Sequence, residues 1–283
     1  MTDAATAFEP QRRFLVSVAY RMLGSVTEAE DVVQDAFLRW EGVDRTSIAE
    51  PRAYLARIVT RLCLDRLKSA RAKREEYVGT WLPEPIVEAP NATEMADDLS
   101  VALLMTLERL SPLERAAFLM ADVFDMDYAA IAGVLERSES ACRQLATRAR
   151  AHVRDERPRF EPSPEAEARL TAAFAMAMLT GDVEKVSNLL AEDCVLYSDG
   201  GGKRLAALRP IFGRTKILRF LEGVKHKRTL PTAETARPVR INGLPGFVLH
   251  GDEGVETLAL ETSGDRIVAI YAIRNPDKLT HVS

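Results

Sequence analysis

Cysteine is scarce and scattered: Cys63, Cys142 and Cys194 stand far apart, with no CxxC pair and no neighbouring histidine. That spacing excludes a disulfide framework and a sequence-local zinc site, and all three read as small core residues; no metal is expected. Long hydrophobic runs are also missing. The nearest approach, residues 170–179, is interrupted by Thr171 and is too short to cross a bilayer, so no membrane partner is expected. Asp3 and Glu9 precede the paired Arg12 and Arg13, which is not the basic-then-apolar order of a secretion signal, and the expected compartment is the cytoplasm. Aromatics are few, at 6%, but 47% hydrophobic and 28% charged residues in 283 describe a soluble globular chain long enough for two modest domains.

The net charge of −4 would argue against nucleic acid if it were evenly spread. Instead, residues 52–74 hold eight cations (Arg52, Arg57, Arg61, Arg66, Lys68, Arg71, Lys73, Arg74) against Asp65 alone. Residues 137–154 hold five arginines against Glu139, and the stretch between, 94–127, holds eight acids against Arg109 and Arg115. Two basic segments separated by an acidic one predict two docking points on a polyanion.

Residues 10–75 read as helices throughout. The segment 14–23 is periodic and ends at Gly24, a natural stop. Thr27 to Glu30 has the form of a capping box and predicts a second helix to about Trp40. On it Val32, Val33, Ala36, Phe37 and Trp40 share one side, while Asp31, Gln34, Asp35 and Leu38 share the other. After a turn-rich link, 42–50, Pro51 opens a long helix with an apolar stripe of Leu55, Ile58, Val59, Leu62, Cys63 and Leu67. Opposite lie Tyr54, Arg57, Arg61 and Lys68: cations for phosphates and a ring for an unstacked base.

Residues 79–95, with Pro83, Pro85 and Pro90, predict a non-helical linker. A second helical block is expected over about 97–157. Within it Ser111-Pro112-Leu113-Glu114 is a strong helix start, Asp127 caps 128–135, and Ser138 caps a helix ending near Arg154. That last helix buries Cys142, Leu145, Ala146, Ala149 and Val153 and exposes Ser140, Gln144, Thr147 and Arg148, with Arg143 and Arg154 at the margins, as in the recognition helix of a helix-turn-helix. Beyond the prolines of 158–164 the pattern changes. Helices are expected over 165–179, 182–190 and 214–224. Strands are expected over 194–197, 236–241, 247–251, 255–260 and 266–273, with Asn242-Gly243 and Ser263-Gly264-Asp265 as hairpin turns. This is an α+β domain with a curved sheet.

Residues 10–157 resemble regions 2 and 4 of extracytoplasmic-function (ECF) sigma factors, most specifically in Ala29-Glu30-Asp31-Val32-Val33-Gln34-Asp35-Ala36-Phe37-Leu38-Arg39-Trp40. Trp81-Leu82-Pro83-Glu84-Pro85, Asp199-Gly200-Gly201-Gly202-Lys203 and Asn275-Pro276-Asp277-Lys278-Leu279 resemble a subgroup with a fused SnoaL-like domain. The resemblance implies a multi-domain chain: region 2 helical bundle (1–78), linker (79–96), region 4 helix-turn-helix (97–157), linker (158–164) and an α+β SnoaL/NTF2-like cone-shaped barrel (165–283). It further implies that Asp31, Gln34, Asp35 and Leu38 bind the β′ clamp helices of core RNA polymerase. Tyr54, Arg57, Arg61 and Lys68, with the loop 42–50, would hold the −10 element, and Ser140, Arg143, Gln144, Thr147 and Arg148 would read the −35 element of promoter DNA. Where the family's turn before the recognition helix often has a glycine and an apolar residue, this chain has Glu136 and Arg137.

SnoaL-like relatives include enzymes, and the fold leaves room for a small-molecule ligand in its cone, but fold alone does not confer chemistry. The acid/base candidates are Asp193, Asp199, His250 and Tyr197. His250 reads as a satisfied structural histidine, and the stretch after Asp199 as a flexible loop making contacts elsewhere. No cofactor and no catalytic residue are therefore expected. The tail is expected to modulate the helical halves through interdomain contacts of Trp81, Pro83, Pro85, Asp199, Gly200, Gly201, Gly202, Lys203, Asn275, Pro276 and Asp277, with Trp81 burying a large ring. Two other readings stay open: an isomerase- or cyclase-type enzyme with a DNA-binding module, and a helix-turn-helix repressor that binds duplex DNA alone.

Overall fold

The computed structural model describes residues 4–44, 48, 50–75, 77–88, 100–154, 163–226, 232 and 235–282, with backbone only at 69–75 and 154. The side chains of Arg71, Lys73, Arg74 and Arg154, most of the 42–50 loop's tip, the acids Glu94, Asp97 and Asp98, and the linker 158–162 lie outside the described residues. The chain divides into two compact units, one of residues 1–76 with 102–157 and one of 77–101 with 158–283.

The first unit is all-helical: α1 (Ala4–Leu23), α2 (Val26–Glu41), α3 (Pro51–Glu75), α4 (Val101–Arg109), α5 (Pro112–Phe118), α6 (Tyr128–Leu135) and α7 (Glu139–Arg154). Its boundaries follow from local chemistry. Gly24 stops α1 in the left-handed conformation at φ 69°. Ser25, rather than Thr27, is the cap of α2, its hydroxyl accepting from Glu28 N at 3.1 Å. The expected box was displaced by two residues because the turn at Gly24 brings Ser25, not Thr27, opposite the free amides. Ser111 and Glu114 form the full capping box at α5, and Asp127 and Ser138 cap α6 and α7. Between α5 and α6 the helix widens into a π turn, Leu119–Val123, which no periodicity announced.

The second unit packs α8 (Pro164–Thr180), α9 (Val183–Leu189) and α10 (Arg214–Lys225) on a sheet of β1 (Val87–Glu88), β2 (Leu190–Asp199), β3 (Ile211–Phe212), β4 (Ala236–Ile241), β5 (Leu244–Gly251), β6 (Gly254–Ser263) and β7 (Arg266–Ile273). Among the described residues the order is β1-β4-β5-β6-β7-β2-β3, antiparallel except for β2 beside β7. Asn242 and Gly243, at φ 50° and 75°, make the tight β4–β5 turn. Register shifts in β2 and β6 bend the sheet around its helices. The core between them includes Phe174, Val186, Leu196, Ile217, Phe247, Leu260 and Ile270. The expected linker is partly a strand: Val87 and Glu88 pair with Ile241 and Arg240, and Asn242 exchanges hydrogen bonds with Ile86 at 2.9 and 3.1 Å. Proline content hid it, since Pro83 and Pro85 precede the strand rather than interrupt it.

Candidate functional site

Helix α2 carries Asp31, Gln34, Asp35 and Leu38 on its outer face, all exposed, Leu38 by 60%. Its inner face is pinned to α1: Val32, Val33, Ala36 and Trp40 are buried, Trp40 Nε1 donates to Ala4 O at 3.1 Å, and Phe37 meets Phe8 edge-on at 5.0 Å. A protruding leucine among carboxylates on a rigid helix is suited to a protein partner. Arg66 of α3, a residue the sequence did not single out, sits behind this face. It reaches Asp35 at 3.3 Å and Asp31 at 3.5 Å while donating to Glu28 O at 3.3 Å. Pairs this exposed contribute about 0–1 kcal/mol, so Arg66 orients the carboxylates more than it stabilises the helix.

Tyr54, Arg57, Arg61 and Lys68 lie along one side of α3 in different surroundings. The Tyr54 ring leans on Trp40, centroids 5.9 Å apart, and Lys68 pairs with Asp65 at 2.9 Å. Arg57 is half-buried, and Arg61 reaches Glu136 at 2.8 Å. On α7, Ser140, Arg143, Gln144, Thr147 and Arg148 are all exposed, and Cys142, Leu145, Ala146, Ala149 and Val153 are buried. Arg143 pairs with Glu139 at 3.0 Å and Arg148 with Glu114 at 2.9 Å. The Ser111 hydroxyl, with its backbone amide and Arg148, holds the Glu114 carboxyl below its usual range. Thr147 donates its hydroxyl to Arg143 O at 2.8 Å, which leaves the oxygen as an acceptor toward solvent. The acidic stretch thus supplies part of α7's counter-charge.

In the second unit one polar centre gathers three separate segments. Asp199 is fully buried, and its carboxylate accepts from Lys278 Nζ at 2.8 Å, Leu82 N at 2.9 Å, Gly201 N at 3.0 Å and Tyr77 OH at 2.5 Å. Lys278 also donates to Leu82 O and lies 4.2 Å from the centroid of the Trp81 ring. Asn275 Nδ2 donates to Tyr77 OH at 2.8 Å, and Lys203 pairs with Asp277 at 2.6 Å. Burial first, and the hydrogen bond to Asp199 next, hold the Tyr77 phenol well above its usual range. The expected flexible loop is therefore a fixed turn. Gly200 leaves no room for a Cβ beside Arg204 O, and Gly201 sits at φ 58° against Asn275. Pro83 and Pro85 are buried in the same unit, where His281 contacts Pro85 O at 2.8 Å. Tyr77 and Lys278 went unassigned in the sequence because their roles depend on contacts 122 and 79 residues away.

The acid/base candidates do not converge. Asp193 and His250 are exposed, and His250 lies at the hairpin end of β5, paired with Val255, with its backbone amide donating to Thr235 O at 2.8 Å. Asp199 is engaged as described, and Tyr197 stacks on Tyr271 at 5.3 Å. Tyr271 donates to Glu261 at 2.6 Å on the sheet face opposite the helices, and burial raises the Glu261 carboxyl. An acid whose pKa is raised in the folded state favours folding fully below its unfolded pKa and loses that contribution as pH rises through its folded pKa. Glu261→Gln is accordingly expected to raise the melting temperature at mildly alkaline pH and leave it unchanged in acid; an equal shift at both, or none, would contradict this assignment. A shallow apolar cleft opens between α8, α9 and α10, lined by residues including Met178, Val186 and Leu221 with Glu222 and Lys225. Among the described residues no cluster of side chains could hold a metal ion, and no helix is long and apolar enough to cross a membrane.

Residues 7–73 match the family model for Sigma-70 region 2, and residues 100–153 that for Sigma-70, region 4. The ECF RNA polymerase sigma factor SigJ of Mycobacterium tuberculosis is 38% identical over 96% of this chain and 92% of its own length. SigI of the same species is 34% identical over 66% of each. The crystal structure of the Mycobacterium tuberculosis extracytoplasmic function sigma factor SigJ superposes with a TM-score of 0.81 at 36% identity, covering 98% of both chains.

Proposed function

The chain belongs to the extracytoplasmic-function RNA polymerase sigma factors, and from that premise we propose how its surfaces divide the work of transcription initiation. The outer face of α2, Asp31, Gln34, Asp35 and Leu38, engages the β′ clamp helices of core RNA polymerase. The observation that carries this is an exposed leucine flanked by two carboxylates that Arg66 holds in place. Tyr54, Arg57, Arg61 and Lys68 hold the melted −10 strand, where a base can stack and cations meet phosphates. Ser140, Arg143, Gln144, Thr147 and Arg148 enter the −35 major groove, with short polar side chains near the start of α7 for base edges and arginines for phosphates.

The SnoaL-like α+β domain modulates this activity without catalytic residues of its own. Its scattered acid/base candidates support that reading, as does the way Asp199 and Lys278 grip Leu82. That grip lies in the segment that joins region 2 to region 4 along the chain. By holding the tether, the tail sets how much of it is free when the two regions bind separate promoter elements. The functional boundaries of this division fall near residues 78, 97, 157 and 165.

The test is the affinity of the purified chain for core RNA polymerase. Saturable binding is expected, and Asp35→Lys, which reverses a charge at the interface and repels Arg66, is expected to weaken it roughly tenfold or more, or about 1.4 kcal/mol. Wild-type protein that fails to bind, or a variant that binds as tightly, would reject the assignment.

A further inference from the structure

Tyr128 is half-buried and opens α6, where the Asp127 carboxylate accepts from Ala130 N at 2.6 Å and fixes the turn that presents the ring. The two ends of this side chain meet two different arginines of α7. The guanidinium carbon of Arg143 lies over the ring, 4.8 Å from its centroid, within the range of a cation–π contact. The hydroxyl accepts from Arg150 Nη2 at 3.0 Å, and Arg150 Nε donates to the two oxygens of Asp122 at 2.8 and 3.1 Å. Arg143 and Arg150 stand two turns apart on one side of α7, and Asp122 belongs to the π turn Leu119–Val123. Asp122, Arg150, Tyr128 and Arg143 therefore form one row of contacts, from the π turn to the exposed face of α7.

We propose that Tyr128 is a positioning residue for −35 recognition: it holds the Arg143 guanidinium in the orientation from which that group reads a guanine. This rests on the −35 assignment proposed above. Glu139 restrains the same guanidinium through Nη2, at 3.0 Å, and is its sole hydrogen-bond partner among the described residues. Most of the five N–H donors of an arginine thus stay available, and an adjacent pair matches the O6 and N7 acceptors of guanine in the major groove. An arginine on an exposed helix face otherwise samples many rotamers, and ordering it on DNA subtracts from binding. A flat ring beneath the group and a carboxylate at its edge order it beforehand. The effect falls on specificity more than on affinity. A phosphate attracts a cation from many directions, whereas a base edge accepts a guanidinium only in its own plane.

The test uses holoenzyme reconstituted from core RNA polymerase and the full chain, and the probe is a duplex DNA library of randomised sequence. Bound duplexes are recovered and sequenced, which gives the base preference at each position of the selected elements. Arg143→Ala is expected to erase a guanine preference at one position and so to identify it. Tyr128→Leu is expected to lower the guanine preference at that position by about threefold to fivefold, the worth of an exposed cation–π contact. Preferences elsewhere and the salt dependence of overall affinity stay as in wild type, because no charge is removed. Tyr128→Phe keeps the ring and should retain most of the preference. Circular dichroism establishes that each variant is folded, and Tyr128→Met carries the test if Tyr128→Leu is not. The positioning role is overturned by a folded Tyr128→Leu or Tyr128→Met variant with the wild-type preference there, or one that relaxes every position alike. Tyr128→Phe losing as much as Tyr128→Leu would overturn it too. If Arg143→Ala alters no position while wild-type holoenzyme still selects its elements, the −35 assignment of Arg143 falls, and the inference with it.

Discussion

Asp199→Ala destabilises the α+β unit by about 3–5 kcal/mol, the cost of stranding one member of a buried ion pair. The side chains of Lys278 and Asp199 are only 8% and 0% exposed, so the ammonium left behind has neither its counter-ion nor bulk water. The Leu82 amide and the Tyr77 hydroxyl lose their acceptor as well, and both belong to the segment between the two helical blocks. Denaturant titration read through Trp81 fluorescence, with Trp40→Phe in both proteins to silence the other tryptophan, measures the loss where it arises. Asp199→Asn keeps an acceptor and falls between the two. Combining Asp199→Ala with Lys278→Met recovers much of the stability, because the stranded charge is gone. A single variant within about 1 kcal/mol of wild type would mean the centre is not the anchor described.

Arg115→Ala has a comparable effect on the helical unit, again about 3–5 kcal/mol. Arg115 is 2% exposed, and its Nη1 donates both to Met22 O near the end of α1 and to Glu108 at 2.7 Å. Burial pulls the guanidinium down to about 10, still far enough above neutrality to keep it charged. The alanine variant takes the guanidinium away from the largely buried Glu108 carboxylate and from the Met22 carbonyl. Because the folded pKa of Arg115 is the depressed one, its protonation differs between folded and unfolded chains only above about 10. The loss attributable to Arg115 itself is then the same in mildly acidic and mildly alkaline buffer. Arg115→Lys recovers only part of it, since a compact ammonium does not span both acceptors as a planar guanidinium does. Thermal melts of the helical signal decide the matter, and an alanine variant that melts with wild type would remove Arg115 from the account.

Period, caps and charge runs were sufficient to determine the faces of α2 and α7. Val32, Val33, Ala36 and Trp40 are inside and Asp31, Gln34, Asp35 and Leu38 outside, just as Cys142, Leu145 and Ala149 are inside and Ser140, Gln144 and Thr147 outside. These are local properties: a helix repeats every 3.6 residues, so its own sequence states which side faces the core. Strands β4 and β7 were likewise legible to the residue, bounded by Asn-Gly and Gly-Asp turns.

Tertiary structure alone decided which polar residues meet. Asp199 reads as the start of a glycine loop but is the buried counter-ion of Lys278. Arg115 and Arg66 look like ordinary surface cations yet tie separate helices together. Arg57 and Arg61 look free along α3, and both reach α6. The physical reason is range. Burial of an apolar side chain follows from its neighbours in sequence, whereas the partner of a charge is set by how distant segments pack, and no periodicity records that.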